Sequence, residues 1–467
     1  MLSILKLHNS LNMELYHQKN LKYLIDLGYC IGCGLCVGIC RNPNTEMTNN
    51  VFGFYEPKFT AECLDCNDCN YICPFGNGVV YSANDLNENK IFELIYDTTY
   101  SKYDKLIGYF RNCYVGYSTQ YRLSSSSGGI ATWILVHLLE NKQVDSVICV
   151  SPLTNSDPLF EYKICSNKEE IVASARSHYY PVHLADVIKK VLTENKRYAI
   201  VAIPCFLKAI ALAQIRNKIL SERIVFKIGL FCGGMKSRFF TEYLAAHLGL
   251  EKKQIKNPIY RIKREETSSQ GYFFAFKDPN DPQKTIEYNI KKLGDLWGPG
   301  YFKHKACDFC DDVTAEVSDI SLGDAWIKPY ENDWRGHSII ITRTEQAESL
   351  INDGIMTHEL ILENISLEKI INSQKANFND RIQGLSYRLY WYRNKITPKK
   401  RVKPKKPQNL IVGLTYKVKS IIRVQSLIIW HKINSSKFKL RLFKCCMFPY
   451  LLILKTSNFL NNKLMKN

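Results

Sequence analysis

Two runs of cysteines with identical spacing are the residues of this sequence with the clearest chemistry. Each run has the pattern C-x2-C-x2-C-x3-C, and 22 residues separate the two. Three thiolates this close in sequence can bind three irons of one cubane [4Fe–4S] cluster from a single tight loop. The runs are Cys30, Cys33, Cys36 and Cys40, and then Cys63, Cys66, Cys69 and Cys73.

The fourth cysteine of each run lies a helical turn beyond the third, too far round to complete the same cube. In two-cluster ferredoxins this cysteine therefore binds the other cluster. A disulfide scaffold and zinc sites are the alternative interpretations of a cysteine-rich segment. The crossover assigns Cys30, Cys33, Cys36 and Cys73 to one cluster, and Cys63, Cys66, Cys69 and Cys40 to the other.

The elements that must hold these residues divide the chain into five parts. The first is a ferredoxin-like unit with a hairpin near residues 47–57, between the cysteine runs. From residue 108 strands alternate with helices, which predicts a mixed α/β or α+β fold. We expect a 4Fe–4S unit at 21–85, α/β regions at 108–190 and 191–345, a helical segment at 346–394, and a basic linker and tail at 395–467.

The positive charge of the chain is confined to its last part. The 467 residues carry a formal net charge of +19, yet residues 1–394 have 45 basic and 44 acidic side chains. Residues 395–467 have 18 Lys or Arg and neither Asp nor Glu. Because the redox part is close to neutral, we expect no nucleic-acid partner.

Cysteine usage and hydropathy point to the cytoplasm. The 17 cysteines are too few for a disulfide-stapled protein of this length, and thiolate clusters need a reducing compartment. We find neither a secretory signal nor a run of about 18 apolar residues. We therefore expect a cytoplasmic protein, with peripheral attachment at the inner face of the membrane as an option for the tail.

Four further cysteines follow strands or stand in turns of the α/β part. A C-x2-C pair is shared by zinc and iron–sulfur sites, whereas single cysteines after buried strands are often core residues. Spacing alone leaves a third metal site open. These residues are Cys205, Cys232, Cys307 and Cys310.

The segments around these cysteines resemble the family of coenzyme F420 hydrogenase and dehydrogenase beta subunits, over residues 110–345. His178 stands where the family has Lys, and Phe206 where it has Gln. The matching segments are Ser127-Gly128-Gly129, Ser177 to Pro181, Pro204-Cys205, Cys232-Gly233-Gly234, Tyr260 to Lys263, Cys307 to Asp312, and Asp319 to Trp326.

This resemblance implies a third [4Fe–4S] cluster on Cys205, Cys232, Cys307 and Cys310, with a flavin (FAD) beside it. It implies an iron–sulfur flavoprotein oxidoreductase that passes electrons between a ferredoxin-type donor or acceptor and an organic substrate or deazaflavin. Related proteins also occur in loci for surface polysaccharides, so one function that the resemblance implies is a role in surface polysaccharide biosynthesis. The alternative is a non-enzymatic electron-transfer subunit that docks to a catalytic partner.

The flavin contacts can be assigned to seven residues, while no catalytic residue can be named. The serine–glycine loop precedes a helix and could hold a phosphate at its N-terminus, or its serines could simply cap the helix. The cations could neutralise a diphosphate or be solvated, and the tyrosines could stack on a ring or belong to the core. These candidates are Ser127, Gly128, Gly129, Arg176, Tyr179, Tyr180 and Lys263.

The basic tail has two predicted parts. A lysine-rich run between Pro398 and Pro407 predicts an extended, disordered linker. Apolar residues then recur from Leu410 to Ile429 at three- and four-residue steps, with cations between them. This pattern is typical of a basic amphipathic helix, which could lie on an anionic membrane or pack on the body or a partner.

Overall fold

The structure is a computed structural model, and it describes residues 21–42, 44–59, 68–80, 84–154, 157–281, 283–433 and 438–464. The N-terminal cysteine unit has only short elements, because most of its backbone forms loops around the cysteines. Its hairpin is antiparallel, as predicted, and pairs Met47 with Pro57. The elements are α1 (Leu21–Asp26), α2 (Leu35–Gly38), β1 (Glu46–Asn49), β2 (Tyr55–Lys58) and α3 (Asp68–Ile72).

The body is built on an eight-stranded mixed sheet, which confirms the mixed α/β prediction. Its strands are β5 (Cys113–Ser118), β6 (Ser146–Pro152), β7 (Phe160–Cys165), β8 (Tyr198–Ala202), β9 (Ile224–Leu230), β13 (Ile320–Asp324), β14 (Ser338–Thr342) and β15 (Leu360–Asn364). Their order is β15-β5-β14-β13-β9-β8-β6-β7, with β13, β9, β8 and β6 parallel and the outer strands antiparallel.

Two smaller sheets and a set of helices surround this sheet. The small sheets are β3 (Lys102–Asp104) with β4 (Gly108–Phe110), and β10 (Ile259–Ile262), β11 (Phe273–Lys277) and β12 (Thr285–Asn289). The helices are α4 (Glu88–Ile95), α5 (Ile130–Glu140), α6 (Lys168–Ala173), α7 (Ala185–Thr193), α8 (Pro204–Arg216), α9 (Lys218–Arg223), α10 (Arg238–His247), α11 (Glu345–Met356), α12 (Leu367–Ser373), α13 (Lys375–Asn379) and α14 (Leu385–Trp391).

The cysteine unit shares its hydrophobic core with the body. Leu24, Leu35 and Ile72 belong to the same buried cluster as Leu207 and Ile210 of α8. The Leu184 amide, just before α7, also donates to the Cys33 carbonyl at 2.8 Å. Apolar burial of this kind is the main favourable term in folding, so the unit is docked firmly on the body.

Residues 395–407 form an ordered strap over this junction. Tyr29 donates to the Ile396 carbonyl at 3.1 Å, and Lys399 Nζ lies 2.7 Å from Asp85 Oδ1. The Arg401 guanidinium binds both oxygens of buried Glu316 at 2.6 and 2.7 Å. The prediction of a disordered linker is therefore wrong, because these basic residues find buried or local carboxylates.

Two long helices end the described chain: α15 (Leu410–Ile433) and α16 (Lys439–Leu464). Helix α15 packs on the body, since Trp430 is fully buried and donates to Glu242 at 3.1 Å. The predicted apolar stripe is divided: Val418 and Ile422 face the core, whereas Leu410 is 81% exposed. None of the helices in the described ranges is long and apolar enough to cross a membrane.

Candidate iron–sulfur and cofactor site

The first predicted cysteine group comes together in the structure. The charges of Cys33, Cys30, Cys69 and Cys73 all act on the Cys36 thiol, although burial is the larger cause of its raised pKa. Gly32, with φ of +66°, lets the loop turn, and its amide donates to Cys30 Sγ at 3.4 Å. A Cβ at this position would collide with the Tyr55 carbonyl, so the turn requires glycine.

The second predicted group can be followed only in part. Cys40 and Cys69 are half-buried, whereas Cys63 and Cys66 lie outside the described residues. Cys69 is close enough to Cys36 and Cys73 for its charge to raise the pKa of both thiols. The assignment of this second cluster stays a prediction.

The third cysteine group is assembled from three separate places in the body. Cys205 lies in the first turn of α8, and Cys232 is the second residue after β9. Cys307 lies within the 3-10 turn Lys305–Phe309, and Cys310 directly follows this turn. The charges of Cys310, Cys232 and Cys307 all act on Cys205, so the fold brings the four predicted thiols together.

The donor chemistry of this group suits a cluster of several irons. Burial raises the pKa of Cys232 to about 11 and also raises that of Cys310, so the thiols stay protonated until metal replaces their protons. Four cysteine thiols are the donor set that a [4Fe–4S] cluster uses. Among the described residues no group of three or more His, Cys, Asp or Glu side chains is arranged to hold a metal ion.

Arg381 is a neighbour of the third group that sequence reasoning missed. It lies in the π-helical turn Asp380–Gly384, and its Nη2 donates to the Cys232 carbonyl at 2.9 Å. Burial would lower the pKa of this guanidinium, but the charges of Cys310, Cys232 and Cys307 raise it. Its Nη1 is buried and no described residue accepts a hydrogen bond from it. The cation thus offsets negative charge on the sulfurs.

The first and third groups are electrostatic neighbours. The charge of Cys33 contributes to the raised pKa of Cys205. Burial is the main cause of the raised pKa of Tyr162, and the charges of Cys205, Cys149 and Cys33 add to it. Tyr162 therefore lies between the N-terminal unit and the body at the point where the two groups approach each other.

A cavity of about 410 Å³ adjoins the third group. Pockets for small molecules and cofactors usually have about 300–1,000 Å³. Five of the seven predicted flavin contacts line it, together with Cys232 and Met235. These five are Ser127, Gly129, Arg176, Tyr179 and Tyr180.

The other two predicted contacts, Gly128 and Lys263, lie behind the loop. A Cβ at Gly128 would collide with the Gly116 carbonyl of β5, so strand packing already explains this glycine. Lys263 Nζ donates to the carbonyls of Arg122 and Ser127 at 2.5 and 2.6 Å. Burial is the main cause that lowers the pKa of Lys263 to about 7. Neither residue is among the described residues that line the cavity.

The cavity wall contains polar donors that the sequence did not reveal. The indole Nε1 of Trp326 and the Nε of Arg261 are buried, and no described residue accepts a hydrogen bond from either. Arg261 Nη1 is held by Asp324 at 2.9 and 3.1 Å. Buried donors without acceptors are costly, so they fit a ligand with polar ring atoms. The wall residues present therefore fit a flavin.

Comparison with protein families decides the relationship. Residues 113–189 match the N-terminal model, and residues 195–368 the C-terminal model, of the coenzyme F420 hydrogenase/dehydrogenase beta subunit. Together the two matches cover more than half of the chain. The chain belongs to this family. The resemblance predicted from the sequence is thereby confirmed.

Individual members of the family are distant relatives. One subunit of the F(420)H(2) dehydrogenase from Methanosarcina mazei is 23% identical over 308 residues, which are 63% of this chain and 75% of the relative. The beta subunit of an F420-dependent formate dehydrogenase from Methanocaldococcus jannaschii is 26% identical over 231 residues. That match covers 49% of this chain and only about half, 54%, of the relative.

A solved structure, the F420-reducing [NiFe] hydrogenase complex from Methanosarcina barkeri, contains a similar chain. The match has a TM-score of 0.47 and 16% identity, and it covers 66% of this chain and 100% of the other. The family membership makes this protein an oxidoreductase-type subunit.

Proposed function

We propose that this protein is an iron–sulfur flavoprotein oxidoreductase. It would carry electrons between a redox protein such as ferredoxin, two N-terminal clusters, a third cluster, and an organic substrate beside a flavin. The observation that carries this proposal is that Cys232 belongs both to the third cysteine group and to the cavity wall.

The order of the sites supports a linear route. Cys33 neighbours Cys205 electrostatically, and Cys232 borders the cavity. A bound flavin would supply the exchange between single electrons and a two-electron organic reaction. The protein would contribute close placement of the sites, exclusion of water by the buried thiols, and a guanidinium at Arg381 that favours extra negative charge.

The residues of the cavity set its polarity. His178 and Phe206, the two departures from the family's segments, both line it. Burial lowers the pKa of His178 to about 4, so its imidazole is neutral near pH 7. A neutral ring and a phenyl group thus stand where the family has Lys and Gln. We therefore propose an organic substrate other than the deazaflavin, and deazaflavin use is the competing outcome.

The second candidate is a non-enzymatic electron-transfer subunit. The relatives from Methanosarcina and Methanocaldococcus are named as subunits, which favours docking to a catalytic partner subunit. Such a relay needs no flavin. The flavin content of the isolated protein therefore separates the two candidates.

The test is anaerobic purification with quantification of iron, sulfide and flavin. We expect about eight irons from the N-terminal unit and about twelve in total, with bound flavin. The C307S/C310S double variant should lose about four irons and retain the rest. The matched control is C445S/C446S, since both of those thiols are exposed on α16. Unchanged iron in the first variant would refute the third cluster, and absent flavin would favour the relay.

We further propose that α16 places the protein on an anionic membrane surface. At 3.6 residues per turn its large exposed apolar residues fall within an arc of about 140°. Lys439, Lys444 and Lys455 lie beside this arc, whereas Arg441 and Lys463 lie within it, so cations would reach anionic headgroups from several sides. The apolar residues are Leu442, Phe448, Leu452, Ile453, Phe459 and Leu460. The substrate class reached there would be a lipid-linked intermediate of surface polysaccharide assembly.

Vesicle co-sedimentation tests this placement. Phe448 and Phe459 are 63% and 68% exposed, so the F448D/F459D variant should fold normally and bind phosphatidylglycerol vesicles at least about tenfold more weakly. The control is L94D/Y100D, which removes two similarly exposed apolar side chains from the body. Equal binding of both variants would exclude the membrane and leave α16 as a surface for a partner protein.

A further inference from the structure

A second and larger cavity opens on the other side of Tyr180. This cleft has a volume of about 1,360 Å³, and α10, residues 249–256 and the start of α16 form its walls. Tyr180 lines both the cleft and the smaller cavity beside the third cysteine group. Tyr180 is therefore a wall residue that the two spaces share.

The cleft is strongly cationic. Seven basic and three acidic side chains line it, and only Lys252 and Lys253 have a carboxylate of the described ranges within 3.6 Å. Arg238 Nε is buried, lies 4.0 Å from Glu242 Oε1, and has no hydrogen-bond acceptor among the described residues. The seven cations are Arg238, Lys252, Lys253, Lys256, Lys439, Arg441 and Lys444.

Five of these seven cations are exposed, but all seven share one concave wall. Like charges around a concave wall repel one another and raise the free energy of the folded protein unless an anion offsets them. The cleft holds seven cations against three carboxylates, so its wall carries a net positive charge that favours an anionic ligand.

Three of the seven cations of the cleft come from outside the family match. The match ends at residue 368, whereas Lys439, Arg441 and Lys444 come from α16. Apolar side chains such as Leu250 and Phe438 complete the wall. The ligand thus has a compact, multiply charged part and an apolar or neutral part.

We propose that this cleft binds a phosphate-bearing substrate and directs its reacting end past Tyr180 toward the smaller cavity. A phosphate or diphosphate concentrates negative charge on oxygens, which lysine and arginine bind with charge-assisted hydrogen bonds. This inference rests on the proposed function only where it concerns the reacting end of the substrate. Phosphate binding itself needs neither flavin nor clusters.

Calorimetric titration of the anaerobically purified full chain with inorganic diphosphate tests the site. The K439E/R441E/K444E variant should bind diphosphate at least about tenfold more weakly than the natural chain. The matched control K417E/K455E/K463E makes the same change of charge on exposed positions of α15 and α16 outside the cleft, and its affinity should fall less than about threefold. Equal weakening in both, or no binding by the natural chain, would overturn the proposal.

Two further measurements identify the source of the phosphate and distinguish a failure of this proposal from a failure of the proposed function. Flavin and iron contents of the cleft variant should equal those of the natural chain, so a loss of either would belong to the proposed function instead. Vesicles of phosphatidic acid in phosphatidylcholine distinguish a lipid headgroup from a free ligand. If the cleft variant loses binding to both vesicles and diphosphate, the ligand is a lipid phosphate; if it loses only diphosphate, it is a soluble one.

Discussion

The first and third cysteine groups reach a similar arrangement of thiols by opposite means. The first takes three of its four cysteines from seven consecutive residues, held by the four-residue helix α2 and glycine turns. The third takes Cys205 from the start of α8, Cys232 from beyond the end of β9, and the Cys307–Cys310 pair from a 3-10 turn. The comparison shows that a local motif is easy to recognise in a sequence, whereas a dispersed site depends on the fold to bring its residues together.

Iron removal should separate the two groups most strongly. Apparent binding free energies of structural metal sites can reach about 10 kcal/mol, and the N-terminal unit has little secondary structure of its own. After chelation under reducing conditions we expect hydrogen exchange to lose protection over residues 21–42 and 68–80. Strands β8, β9 and β13 should stay protected. Equal loss in both regions would mean that the sheet does not prepare the third site.

The strap gives the next largest effect, because it joins the two regions. The R401A variant leaves the nearly inaccessible Glu316 without its cation, whereas Glu88 keeps Lys208 at 2.8 Å. Breaking a buried ion pair costs about 3–5 kcal/mol. We expect this loss in denaturant unfolding of the holo protein.

The matched control for Arg401 is K399A, two residues earlier in the same strap. Its ion pair with Asp85 is exposed on both sides. Exposed pairs contribute about 0–1 kcal/mol. A similar cost for the two variants would show that the strap acts through its backbone alone.

A histidine between the two groups should make stability depend on pH. His304 caps the turn that carries Cys307, and its ring contacts Phe54 of the N-terminal hairpin at 4.4 Å. Burial lowers its pKa to about 4, below about 6.5 in the unfolded chain. The unfolded chain thus binds the proton first, so stability is complete above about pH 6.5 and falls toward about pH 4, by up to about 3 kcal/mol.

The measurement is the free energy of unfolding between about pH 7 and about pH 4.5. We expect the H304Q variant to have a smaller slope than the natural chain, by up to one proton. H431Q serves as the control, because His431 lies exposed at the end of α15. An unchanged slope in H304Q would assign the acid sensitivity to other buried histidines.

The smallest expected effect concerns the potential of the third cluster alone. Arg381 offsets negative charge on three of its cysteines, so R381Q should lower its reduction potential. A loss of about 1.4 kcal/mol of stabilisation corresponds to about 59 mV for one electron. Redox titration followed by electron paramagnetic resonance should show no shift for the N-terminal clusters, nor for any cluster in R393Q. A common shift of all clusters would contradict a local role.

The sequence predicts the family, the mixed α/β fold and the cavity-lining loop because these depend on local motifs. Ser127 and Gly129 reach the cavity as their position before a helix suggests. Lys263 does not line it, since the direction of a side chain just after β10 depends on how that sheet packs. Arg381 was unpredictable for a similar reason: a lone arginine in a helical stretch signals nothing until tertiary structure places it beside Cys232.

The tail shows the same limit in another form. Composition predicted disorder for residues 399–406, because basic runs without partners stay solvated. Composition contains no information on Glu88 and Glu316, which lie far away in sequence and form ion pairs with Arg401. Helix α15 was predicted correctly as a helix, but its inward face was decided by Trp430 and the body.

The strap is synthesised long after the cysteine unit that it covers. The cysteine unit leaves the ribosome first, and domains generally fold in that order during synthesis. Helices α7 and α8, on which the unit docks, follow within about the next 130 residues. The strap that covers the junction, where Tyr29 donates to the Ile396 carbonyl, emerges more than 300 residues after the unit. The nascent unit therefore docks on the body well before its cover exists, which would leave an interval for insertion of the proposed clusters.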